Sequence, residues 1–283
     1  GEAEAIEYLD GEDNPVPIRV KIRLQGASFK ADFTGTASQS RGNANTPLSV
    51  TKSAVYYVLR CLLPPDIPPN HGCYENVHVT APEGSLLNPR PPAAVSSGNV
   101  ETSQRIVDVL LLALKDLLPD QIPAQGQGTM NNLAIGWEKK TYYETIAGGM
   151  GGSPSCDGAS AVQVHMTNTA TTPVEALESA YPIRVLKTAL RDGSGGEGFH
   201  PGGMGLTREF LFLEDGVVSI QSERRRFPPK GIAGGNDGKC GSNLLRRIDG
   251  TTIGLPGRCT FNVSKGESLI INTPGGGGWG QRK

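Results

Sequence analysis

The sequence predicts an α+β fold, with helices mainly in its N-terminal half and a β-rich C-terminal half. Three observations carry this. Two amphipathic stretches of helical period lie before residue 120, short runs of strand character recur after residue 133, and glycine clusters separate those runs. The expected division is 1–133, an α+β region with two buried helices, and 134–283, a β-rich, glycine-rich region. The sheets of the second region are expected to pack on each other or curl like a barrel. One continuous domain is the alternative.

The elements follow in order. Residues 18–24 alternate apolar and charged, which is a strand with one wet face. Residues 29–33 make a second short strand, joined to the first by the turn Gln25-Gly26-Ala27-Ser28. A polar loop over 34–45 leads to a buried helix over 47–63. Pro47 suits its first turn, Val50, Ala54, Tyr57, Val58 and Cys61 form its stripe, and Pro64-Pro65 stop it. Residues 77–80 read as a strand. Asn99 is placed to cap a helix over 100–117, its core face formed by Ile106, Val109, Leu110, Ala113 and Leu117. Strands are expected over 142–146, 161–165, 208–213, 217–221, 258–263 and 269–272, with one short helix over 174–179.

Composition narrows the function. Net charge is -1 over 283 residues and no polybasic run occurs, so neither nucleic acid nor a membrane surface is indicated as a partner. The longest apolar run, 107–114, is interrupted by Asp108 and is far short of the ~20 residues a membrane span needs. With 38 Gly and 21 Pro but only 19% charged residues, a loop-rich protein with much of its surface covered by partners is expected. Cys61, Cys73, Cys156, Cys240 and Cys259 have no CxxC spacing, which reads as reduced thiols in a cytoplasmic protein.

Several strings carry chemistry. Gly128-Thr129-Met130-Asn131-Asn132 sets two amides, Asn131 and Asn132, beside a glycine. They either bind an amide or carboxylate, or hold a turn. His165 stands at a strand end beside Asn168, as a base, a ligand or a structural residue. In Ser222-Glu223-Arg224-Arg225-Arg226, strand geometry places Arg224 and Arg226 on one face, where with Glu223 they could hold a carboxylate. The alternative is a solvated turn. Neither GxGxxG nor GxxxxGK[ST] occurs, and no histidines have metal-site spacing. Near the end a strand runs into Gly275, Gly276, Gly277 and Gly278. Ordering four glycines costs about 2–4 kcal/mol, so something must require a backbone without Cβ there.

Taken together, Gly42-Asn43-Ala44-Asn45-Thr46-Pro47, Pro82-Glu83-Gly84-Ser85-Leu86-Leu87-Asn88-Pro89, Gly98-Asn99-Val100-Glu101-Thr102-Ser103-Gln104-Arg105, the Asn131 and His165 strings, Tyr142-Tyr143-Glu144-Thr145, Ser222-Glu223-Arg224-Arg225 and Thr273-Pro274-Gly275-Gly276-Gly277-Gly278 form an ordered series. Each is weak alone; the series resembles the hydantoinase B/oxoprolinase family along nearly the whole chain.

The resemblance implies an ATP-dependent hydrolase of cyclic amides such as 5-oxoproline, hydantoins or lactams. It implies ATP and Mg on a hydantoinase A-type partner, which fits the missing P-loop. It also implies a hetero-oligomer. The family's His- and Asp-rich N-terminal portion, with its Gly-Gly-Thr-His type motif, has no match here. The chain is therefore expected to be the C-terminal part of a B-type subunit, inactive by itself, with a divalent metal (Zn or Mn) held by the N-terminal portion. Asn131, Asn132, His165, Asn168, Glu223, Arg224 and Arg226 are then the substrate-facing candidates. Gly275–Gly278 form a close-packed wall at the site or at a subunit interface. Two alternatives are a subunit of an acetone- or acetophenone-type carboxylase and a structural subunit without catalytic residues.

Overall fold

A computed structural model of the chain describes residues 1–11 and 13–282. It divides into two compact units, Gly1–Ile122 and Pro123–Lys283. The fold is α+β and rich in strand.

The first unit is a four-stranded sheet covered by two helices. Its elements are β1 (Glu2–Leu9), β2 (Val16–Gln25), β3 (Ser28–Asp32), α1 (Leu48–Leu62), β4 (Val77–Thr80) and α2 (Ser103–Leu114). The sheet order is β1-β2-β3-β4, antiparallel except for the β3–β4 pair, whose strands run parallel across the connection that contains α1. Alternation puts Ile18, Val20 and Ile22 of β2 in the core, while Arg19, Lys21 and Arg23 face water and pair with Glu2 and Glu4. Burying the apolar face stabilises the unit at roughly 25 cal/mol per Å² of apolar surface removed from water.

Both helices differ from expectation in detail. The buried stripe of α1 is Thr51, Ala54, Val55 and Val58, and Cys61 is exposed. Thr51 tolerates the interior because its Oγ1 donates to the Leu87 carbonyl at 2.9 Å. Asn99 does not cap α2. A π-helical turn over Gly98–Thr102 precedes it, and the helix ends at Leu114. Gly98 is the reason for this tight entry, since a Cβ there would overlap the Asn45 carbonyl oxygen.

The second unit contains β5 (Asn132–Gly136), β6 (Thr141–Thr145), α3 (Val174–Ala180), β7 (Ile183–Leu190), β8 (Leu206–Phe212), β9 (Gly216–Gln221), β10 (Ser242–Arg246), β11 (Thr252–Leu255), β12 (Arg258–Val263) and β13 (Ser268–Asn272). They form a five-stranded sheet, β11-β10-β13-β8-β7, and a four-stranded sheet, β12-β9-β5-β6. Leu133, Ile135, Val218 and Ile220 of one sheet share a core with Phe210, Phe212, Leu269 and Ile271 of the other. The sheets therefore pack, and no sheet closes into a barrel among the described residues. The expected strand over 161–165 is absent: only Val162 bridges, to Gly148. Left-handed φ angles at Ala161 (+52°) and His165 (+60°) interrupt any extended run there.

The terminal glycines lie at the centre of the rest of this unit. Gly276 N donates to Gly203 O at 2.9 Å, Gly277 N to Gln125 O at 2.8 Å and Gly278 N to Asn236 O at 2.8 Å. Their carbonyls accept from Gly196, Gly152 and Ile232. Successive residues thus bond to different neighbouring segments, the pattern of a threefold extended backbone rather than a flat sheet. A Cβ at Gly276 would overlap the Met150 carbonyl oxygen, and one at Gly277 that of Lys230. Hydrogen bonds on several sides offset the ordering cost of these residues.

Candidate functional site

A buried polar cluster in the second unit gathers several of the residues that the sequence singles out. Its frame is the segment 125–132, which enters β5, and the turn 222–226, which leaves β9. β5 and β9 are antiparallel neighbours with Asn132 opposite Gln221, so sheet pairing brings the two segments together. Thr129 joins them: its Oγ1 accepts from Asn131 N at 3.2 Å and from Glu223 N at 3.0 Å.

Asn131 has φ +46° and is buried. Its Nδ2 donates to Gln127 Oε1 at 2.8 Å and to Ile146 O at 3.1 Å, and its Oδ1 accepts from Arg225 Nη1 at 2.8 Å. Arg225 also donates to Glu223 O at 2.7 Å and to Asn243 Oδ1 at 2.8 Å. The guanidinium therefore clasps both segments and β10 in one fork.

Arg224, with φ +61°, is fully buried and donates to Pro228 O at 3.0 Å and Gln125 Oε1 at 2.9 Å. The same oxygen of Gln125 accepts from Lys230 N at 2.8 Å. The Glu223 carboxylate, 1% exposed, pairs with Arg258 at 2.6 Å. Arg224 and Arg226 do not share a strand face. The strand ends at Gln221, and the left-handed residue at 224 breaks the alternation. Arg224 consequently turns inward, Arg225 reaches across to Asn131, and Arg226 is exposed with its guanidinium 5.9 Å from the Phe227 ring centre.

Asn132 is buried at the start of β5, with Oδ1 accepting from Tyr143 OH at 2.7 Å and Nδ2 without a hydrogen-bond partner in the protein. His165 is half-buried with left-handed backbone, and Asn168 is exposed. Among the described residues, three of the five non-glycine positions with positive φ, Asn131, His165 and Arg224, are thus candidates from the sequence. Strained backbone of this kind costs of order 1–3 kcal/mol per residue and clusters where geometry serves a function.

The central glycines support this frame. Gly277 N bonds Gln125 O, and Gln127 N donates to Gly149 O at 2.8 Å. Nearby in the core, Arg208 of β8 and Glu144 of β6 form an ion pair at 2.7 Å, both almost fully buried. Burial pushes the Glu144 carboxyl above its ordinary value, with Arg208 acting against it. Burial also raises the Tyr142 hydroxyl to about 12. Among the described residues, no group of three or more His, Cys, Asp or Glu is placed to hold a metal ion.

Sequence reasoning missed Gln125, Gln127, Arg225 and Asn243. Gln125, Gln127, Thr129 and Asn131 alternate, a period-two polar signal masked by the glycines between them. In the first unit it also missed that Glu101, Gln104, Arg105 and Asp108, on one helical face, are all buried, with Arg105 and Asp108 paired at 2.7 Å.

Comparison with known proteins agrees with the motif series. The family described as hydantoinase B/oxoprolinase matches residues 1–282. The chain is 46% identical over 282 residues to 5-oxoprolinase 1 of Arabidopsis thaliana, covering 99% of this chain and 22% of the relative. It is 32% identical over 304 residues to a B-type subunit of a D-/L-hydantoinase from Pseudomonas sp. strain NS671, covering 99% of this chain and 50% of the relative. Its fold matches the crystal structure of ATP-dependent caprolactamase from Pseudomonas jessenii with a TM-score of 0.88 at 24% identity, over 99% of this chain and 52% of that one. It matches nucleotide-free acetone carboxylase with a TM-score of 0.86 at 16% identity, over 99% and 45%. The chain spans from about a fifth to about half of the length of these relatives.

Proposed function

This chain belongs to the hydantoinase B/oxoprolinase family, and from that premise we propose that it is the C-terminal part of a B-type subunit in an ATP-dependent hydrolase of cyclic amides. An A-type partner would bind ATP and transfer phosphate to the amide oxygen. Water then adds at the activated carbon and the ring C–N bond breaks. The observation that supports a role for this chain beyond scaffolding is the polar cluster, in which left-handed Asn131 and Arg224 hold carboxamide groups in fixed orientations.

Within that reading the candidates divide by their bonding. Arg224 and Asn131 are engaged by protein partners and serve as framework. Asn132, with a buried unused donor, is the best placed of the sequence candidates to meet a substrate oxygen. His165 remains a candidate on its strained backbone. In the intact enzyme, Asn132→Ala or His165→Ala should lower turnover at least tenfold without changing the melting temperature. Full turnover in both variants would remove these roles.

A structural role without catalysis is the second reading, favoured by the centrality of Gly275–Gly278 and by how many polar side chains of the cluster bond to one another. On that reading every polar candidate tolerates alanine, whereas substitutions in the glycine segments break assembly.

A further inference from the structure

We propose that Gln127 is a ligand-binding residue whose carboxamide N–H groups donate to a carbonyl or carboxylate oxygen. The proposal rests on the cyclic-amide reading for the identity of that oxygen. It follows from the direction of hydrogen bonds through the cluster. The guanidinium of Arg225 can only donate. Facing it at 2.8 Å, the Asn131 side chain must present Oδ1. The Ile146 carbonyl, which can only accept, lies 3.1 Å from the other end of the same amide and requires Nδ2 there. Two independent neighbours thus fix the orientation of Asn131.

Asn131 Nδ2 in turn donates to Gln127 at 2.8 Å, so the Gln127 atom at that contact is Oε1. The Nε2 group therefore points away from Asn131 with two N–H donors. Gln127 is fully buried, and Nε2 has no hydrogen-bond partner in the protein. Rotating the amide would not help, because it would set donor against donor at Asn131. Buried N–H groups are rarely left unmet, and here the network itself prevents the protein from meeting them.

The space around Gln127 is built for this side chain. A Cβ at Gly148 would overlap Oε1 and lie 2.8 Å from Cδ, so only glycine admits the Gln127 conformation. The backbone on either side is held too, through Gln127 N to Gly149 O. A cyclic amide offers a carbonyl oxygen, and 5-oxoproline adds a carboxylate; both accept and neither donates through that oxygen. A site built to donate to a substrate oxygen discriminates strongly against analogues that lack it.

Gln127→Glu tests the assignment with almost no change of shape. The glutamate still accepts from Asn131 Nδ2, but it presents an acceptor where the ligand needs a donor. The experiment compares wild type and Gln127→Glu in the intact enzyme, by ATP-dependent turnover of 5-oxoproline and by the rise in melting temperature that 5-oxoproline produces. The expected result is a melting temperature without ligand that matches wild type, a KM raised at least tenfold and no stabilisation by 5-oxoproline. An unchanged KM and unchanged ligand stabilisation overturn the proposal and leave the cyclic-amide reading standing; the Nε2 donors then serve water. If wild type turns over no cyclic amide but is stabilised by 5-oxoproline while Gln127→Glu is not, the donor assignment holds and the hydrolase reading falls. If 5-oxoproline is neither hydrolysed nor stabilising in wild type, both fall. If Gln127→Glu fails to fold, Gln127→Met, which removes the donors without adding charge, takes its place under the same outcomes.

Discussion

Tyr142 shows how much of this molecule is decided by single side chains. Its hydroxyl lies in the core beside the Glu144–Arg208 pair, and burial raises it from an ordinary value of 10.0 to about 12. The sign of the linkage follows. Above pH 10 the unfolded chain releases this proton while the folded chain keeps it, so stability falls as pH rises from about 10 to about 12. Denaturant unfolding of wild type between pH 8 and 11 should show that decline beginning, and Tyr142→Phe should lose part of it. An identical alkaline decline in the variant would mean that other groups cause it. The same scale shows what the sequence could and could not tell. Asn131, Glu223 and Arg224 were legible as polar residues among glycines, and they share one cluster. Arg225 was not distinguishable from its neighbours, because the reading assumed strand alternation and a left-handed residue at 224 rotates everything after it. Gln127 was invisible because its meaning lies in a hydrogen-bond direction set by residues nearly a hundred positions away.

Elements were legible where periodicity was strong. The alternation of β2, the helical stripe of α2 and the apolar runs of β12 and β13 appear at their expected places. β1 escaped notice because Glu2-Ala3-Glu4-Ala5 lacks the bulky apolar residues that mark a strand; its register against β2 is instead supported by ion pairs. β5 and β11 escaped because each is short and contains glycine. The central glycine segment is the element with the clearest test. Gly276→Ala puts a methyl group into the Met150 carbonyl oxygen, a case of overpacking against backbone that cannot give way like a side chain. It should destabilise by on the order of 3 kcal/mol, read as a lower midpoint in urea unfolding. The Gly276→Ala, Gly277→Ala double variant should fail to assemble or turn over. A fully stable and active double variant would show that the close packing carries no energy.

At the scale of the whole molecule, each compact unit has its own sheet architecture, and the family match runs through both. No helix among the described residues is long and apolar enough to cross a membrane, and all five cysteines are free thiols. The ATP-binding and substrate-activating steps belong, on the proposed reading, to the A-type partner, while this chain supplies oriented carboxamides on a framework of glycines and arginines. The most direct test is to combine the intact B-type subunit with its A-type partner and follow ring opening of 5-oxoproline, hydantoin and caprolactam with and without ATP. The account predicts hydrolysis of at least one ring only when ATP and both subunits are present, lost or reduced at least tenfold by Asn132→Ala. ATP consumption that requires bicarbonate and a ketone, with no ring opened, would contradict it.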